Sequence, residues 1–119
     1  MATGIPQAPL AVTLNDLLQH HGLSEDNLNQ EIASDKIHEI STLLTDDWRL
    51  LAPKMNITEA VVNEIKRDND SEELKKIGFL KKWKKKQSIR ATYRVLVDVL
   101  MSNGNSNDAS RVCQLVIGK

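Results

Sequence analysis

Apolar side chains in this sequence recur at three- and four-residue intervals from Leu14 to Val116, and no segment alternates as a half-buried strand would. Thr13 can cap a short helix over TLNDLLQHH, which puts Leu14, Leu17 and Leu18 on one face and ends at Gly22. Ser24 can cap a second stretch, residues 25–33, with Leu28 and Ile32 four apart. Ser34 can start another, carrying Ile37, Ile40 and Leu44. The pattern leaves open whether residues 25–44 form one helix or two. Asp46 is the expected cap of DWRLLAPKM, where Trp48, Leu51, Ala52 and Met55 make an amphipathic stripe. Pro53 should bend or end that helix, because it lacks an N–H and its ring crowds the preceding turn.

Thr58 is placed to cap EAVVNEIKR, with Ile57 packing back on Val62 as a hydrophobic staple. Asp70 and Glu73 are spaced as a capping box for a helix over residues 71–86, which carries Leu74, Ile77, Phe79, Leu80 and Trp83 among many lysines. Gly78 inside it costs about 1 kcal/mol against alanine, so close approach of a neighbour is its expected reason. A further helix should begin near Ala91–Thr92, with Leu96, Val99 and Leu100 on one face and Gly104 past its end. The last should start at Asn107–Asp108 and present Ala109, Val112 and Val116. Six main helices and one short N-terminal helix result. Their short connections favour antiparallel or angled neighbours. The expected core is Ile40, Trp48, Leu51, Ile65, Leu80, Trp83, Leu96, Leu100 and Val112.

Residues 1–12 combine Gly4, Pro6 and Pro9 without periodicity and are expected to be a flexible leader. Residues 13–33 are expected to form a helical extension, and residues 34–119 the main domain. At 119 residues the chain can bury a core without disulfides or metal. No apolar run reaches the roughly 18 residues of a membrane span, and no basic region precedes an apolar stretch at the N-terminus. Cys113 has no partner cysteine. Cytoplasmic residence is the simplest expectation.

The net charge is zero, yet it is unevenly spread. Residues 1–60 hold 3 basic and 9 acidic side chains, while residues 61–119 hold 13 and 7. Such a polarised molecule can attract copies of itself or similarly polarised relatives.

The order of four motifs resembles the death-domain family. Trp48-Arg49-Leu50-Leu51-Ala52 followed by Ile57-Thr58-Glu59 looks like the passage from that family's second helix to its third. Leu80 with Trp83 resembles the fourth helix. Ala91-Thr92-Tyr93-Arg94-Val95-Leu96 with Leu100 resembles the fifth, and Asn107-Asp108-Ala109 with Val112 the sixth. The likeness covers residues 34–116. The Arg-x-Asp-Leu signature of death effector domains is missing, and the tryptophans sit where death domains rather than caspase-recruitment domains carry them. The resemblance implies an all-α, six-helix antiparallel Greek-key bundle, here with an extra short N-terminal helix. It also implies a non-enzymatic adaptor module that assembles apoptotic or innate-immune signalling complexes by homotypic contact. In such assemblies a basic surface on the first and fourth helices commonly meets an acidic surface on the second and third. The acidic candidates are Asp46, Asp47, Glu59 and Glu64. The basic ones are Lys75, Lys81, Lys82, Lys85, Lys86 and Arg90. Asp35 and Glu39, on the first helix, place acid near the basic side.

Other readings carry less. Trp48 and Trp83 could be partner hot spots, but both lie on apolar stripes and are expected in the core. The lysines could bind nucleic acid, the alternative reading, although no aromatics are interleaved with them for base stacking. His20, His21 and His38 lack the ligand cluster a metal needs. No nucleophile elbow, phosphate-binding glycine loop or paired-carboxylate site is present. No cofactor, membrane insertion or small-molecule substrate is expected.

Overall fold

Trp48, Phe79 and Trp83 are the bulkiest fully buried side chains, and helices converge on them from both ends of the chain. The computed structural model describes residues 13–45 and 47–117; the expected leader and Asp46 lie outside the described residues. Within them run α1 (Leu14–His21), α2 (Glu25–Leu28), α3 (Ile37–Leu43), α4 (Trp48–Leu51), α5 (Glu59–Asp68), α6 (Glu72–Gln87), α7 (Tyr93–Ser102) and α8 (Ser106–Ile117). Short 3-10 turns at Ser34–Lys36, Pro53–Met55 and Ser88–Arg90 join them. Helices α3 to α8 make the six-helix bundle, with α6 packed on both α3 and α5 and α8 on α7 and α3. No strand occurs among the described residues, apart from one isolated bridge between Glu31 and Thr92.

Several ends fall where the sequence places them. Thr13 and Asp16 form a capping box, and Gly22 closes α1 in the left-handed region at φ 68°. Thr58 and Thr92 accept from the backbone N–H groups of Val61 and Val95. Pro53 opens a 3-10 turn after α4, as its missing N–H requires. A Cβ on Gly78 would stand 3.0 Å from the Asn69 side-chain amide and 3.7 Å from Ile65 of α5, so a larger residue there would require that amide to shift.

Other ends shift. The cap of α4 is Asp47, whose carboxylate accepts the N–H of Arg49, rather than Asp46. The cap of α6 is Ser71, which accepts from Leu74, and not the Asp70–Glu73 pair. Helix α8 starts at Ser106, a residue early, because Asn105 and Asp108 cap each other reciprocally at 2.9 and 3.0 Å. The expected helix over residues 25–33 stops at Leu28. Beyond it the chain is extended, with Ile32 N–H donating to the Ala91 carbonyl and Tyr93 N–H to Gln30. Tertiary pairing thus overrides a short and weakly periodic segment. Residues 25–44 form two helices.

The expected core residues are all buried. So are Leu17, Leu18, Leu28 and Ile32 from the N-terminal segment, which join the same cluster. Helices α1 and α2 lie against α7 and α8. His21 Nε2 is 2.8 Å from Ser110 Oγ, and Glu25 pairs with Arg94 at 2.7 Å. The segment is packed as part of the bundle.

Asp108 is fully buried and is satisfied from several sides. It accepts the Thr45 N–H at 2.7 Å, the Asn105 amide at 2.9 Å and Arg111 at 3.1 Å. This clip fastens the loop between α3 and α4 to the start of α8.

Leu28→Ala is expected to cost about 2–5 kcal/mol in urea unfolding, and removal of residues 1–33 to abolish the cooperative transition. Retention of a native-like melt by the shortened chain would contradict this packing. Asp108→Ala, which strands the Thr45 N–H, is expected to cost about 3 kcal/mol in the same measurement.

Candidate partner-docking surface

The burial of Phe79, Leu80 and Trp83 sets the rotation of α6 about its axis, and that rotation sorts the lysines. Lys75, Lys82 and Lys86 fall on the side toward α5. Each is engaged: Lys75 with Glu72 at 3.4 Å, Lys82 with Glu64 at 2.8 Å, and Lys86 with the Asn56 carbonyl at 2.6 Å. Lys81, Lys84 and Lys85 fall on the side toward α3, spaced i, i+3, i+4. Lys84 pairs with Glu31 at 2.7 Å. Lys81 and Lys85 are exposed and make no ion pair among the described residues. Lys76 turns inward and donates to the Leu44 carbonyl, tying α6 to the end of α3.

The acidic candidates are similarly sorted. Asp47 caps α4 and holds Arg49 at 3.0 Å. Arg49 reaches on to Glu72 at 3.2 Å and lies 5.2 Å from the centre of the Trp48 ring, so it joins α4 to the start of α6. Glu59 is exposed and lines the same hollow as Lys86, between the Pro53 turn and α6. Glu64 faces Lys82, whose hydrogen bond and charge hold its carboxyl below the usual carboxylate range. Acid and base therefore adjoin along the α5–α6 seam within one molecule. Glu59 on one side, and Lys81, Lys85 and Arg90 on the other, are exposed without an ion pair among the described residues.

A groove of about 350 Å³ opens between the Ser34 turn and the C-terminal half of α6. Lys81, Lys84 and Lys85 line one wall, with Glu31 and Ser34 opposite and Ser88 at the end. Ser88 has φ 56° and ψ −123°, a conformation suited to glycine and costly, by about 1–3 kcal/mol, for other residues. The lysine richness of α6 was legible in the sequence. Glu31, Ser34 and Ser88 were not legible as its neighbours, because only the fold brings residues 31–34 against α6.

Cys113 is buried, and desolvation raises its thiol above the ordinary range. No group of His, Cys, Asp or Glu able to hold a metal occurs among the described residues. No helix of the described residues is long and apolar enough to cross a membrane.

A family model described as "Death domain" matches residues 34–114, which cover α3 to α7 and most of α8. The chain belongs to the death-domain family. Its role is that of a protein–protein interaction module. THO complex subunit 1 of Mus musculus is similar to it, 24% identical over 94 residues that cover 78% of this chain and 14% of that protein. The chain thus spans a small part of that relative's length. No solved structure matches.

Lys82→Met is expected to return the Glu64 titration upward toward the ordinary carboxylate range. The side-chain carboxyl chemical shift of Glu64 followed against pH checks this, and an unchanged midpoint would show that the pair does not form.

Proposed function

We propose that this domain self-associates, or joins another domain of its own fold, by placing the exposed acid near α5 of one copy against the free lysines of α6 on the next. The observation that carries this reading is the pair of unneutralised surfaces: Glu59 on one side, Lys81, Lys85 and Arg90 on the other. Asp47 flanks the acidic side, while Glu64 is largely occupied by Lys82. Exposed ion pairs contribute only about 0–1 kcal/mol each, so affinity must come from several acting around a desolvated centre. Leu50, 59% exposed on α4, offers apolar area beside the acidic residues.

The consequence of such docking is a raised local concentration of whatever is attached to each copy. Assembly of apoptotic or innate-immune complexes in the cytoplasm, with the domain acting as an adaptor and without enzymatic activity of its own, is the setting this mechanism suits. A similar segment in a protein named as a subunit of a complex fits the same general role.

Sedimentation velocity at low and high salt tests the reading. Association should weaken as the Debye length falls from about 10 Å at 0.1 M to about 3 Å at 1 M salt. Glu59→Lys and Lys85→Glu should each reduce self-association, and a mixture of the two variants should recover paired species through their intact sides. Salt-indifferent association, or no effect of either change, would overturn it.

A further inference from the structure

We propose that the groove between the Ser34 turn and α6 receives a phosphorylated serine or threonine side chain presented by a partner protein. The inference builds on the interaction role and names a chemistry that role alone does not require. Three lysines and two serines line the groove with Ile37, against a single carboxylate, Glu31. Lys84 neutralises that carboxylate at 2.7 Å. Lys81 and Lys85 remain as ammonium donors, and neither Ser34 nor Ser88 spends its hydroxyl on a hydrogen bond among the described residues. Ammonium and hydroxyl donors are what phosphoryl oxygens need, with lysine acting as a point charge.

The strained backbone at Ser88 is a second observation. A positive φ at a non-glycine residue, at the end of the groove, holds a serine where glycine would be more comfortable. A hydroxyl used by a ligand gives that choice a reason.

The shape of the site distinguishes among phosphate sources. Sites for free small molecules commonly enclose about 70–90% of the ligand. This groove instead lies open along Lys81 and Lys85, which suits a side chain held out from another surface. A nucleic-acid strand would need a continuous track of free cations. Here Lys82, beside the groove on α6, is neutralised by Glu64, which interrupts such a track.

The test is an amide NMR titration of the full chain, at constant ionic strength and at concentrations where it sediments as a monomer. The probes are a short phosphoserine peptide, its unphosphorylated form, inorganic phosphate and an oligothymidylate. The phosphopeptide should give saturable shifts centred on Ser34, Lys81, Lys85 and Ser88, and bind about tenfold more tightly than the unphosphorylated peptide or inorganic phosphate. Lys81→Met with Lys85→Met should remove that preference, whereas Lys82→Met should keep it. Ser88→Gly should raise the melting temperature and yet weaken phosphopeptide binding. Unsaturable shifts spread over all lysines, equal affinity for inorganic phosphate, or tighter oligothymidylate binding along α6 would overturn the proposal. Because the titration is read on monomers, its failure leaves self-association untouched. Loss of self-association in Glu59→Lys, in turn, leaves the titration unaffected.

Discussion

Phe79, Leu80 and Trp83 hold α6 in a single rotational setting, and almost every surface property of the domain follows from it. A sixteen-residue helix this rich in lysine has little amphipathic character of its own. It gains a fixed orientation only because three large apolar side chains enter the core between α3 and α5. Truncating a buried aromatic of this size costs about 3–5 kcal/mol. That is enough to outweigh any preference of the flanking lysines. Once the rotation is set, the lysines divide into a stripe that closes against α5 and a stripe that borders the Ser34 turn.

The rest of the fold frames those stripes. Asp108 clips the α3–α4 loop to α8 and so positions the start of α4, from which Asp47 and Arg49 project. Arg49 then bridges to Glu72 at the beginning of α6. On the other side, the extended residues after α2 run against Ala91 and Tyr93 and carry Glu31 to Lys84. The N-terminal segment therefore buries apolar area on α7 and α8, and it also shapes one wall of the groove.

Much of the bundle was legible in the sequence because its helices are bounded by residues with one strong local role. Thr13, Thr58 and Thr92 cap, Gly22 terminates, and Pro53 turns the chain. Two caps were misplaced by one residue, Asp46 for Asp47 and Asp70 for Ser71, since adjacent polar side chains carry the same local signal. The break after Leu28 was hidden for a different reason: its backbone partners, Ala91 and Tyr93, lie about sixty residues away along the chain. The charged residues were identifiable as a set. Their pairing was not, because Glu64 with Lys82 and Glu31 with Lys84 depend on helix rotation and on long-range contact.

Lysine acetylation of the native chain, resolved by mass spectrometry, probes that rotation most directly. The account predicts that Lys81 and Lys85 react fastest and that Lys82, 44% exposed but paired, is slower. Lys75 and Lys84, with side chains 20% and 16% exposed, should be slowest. Uniform modification along α6, or protection of Lys81 and Lys85 with rapid reaction at Lys84, would contradict it.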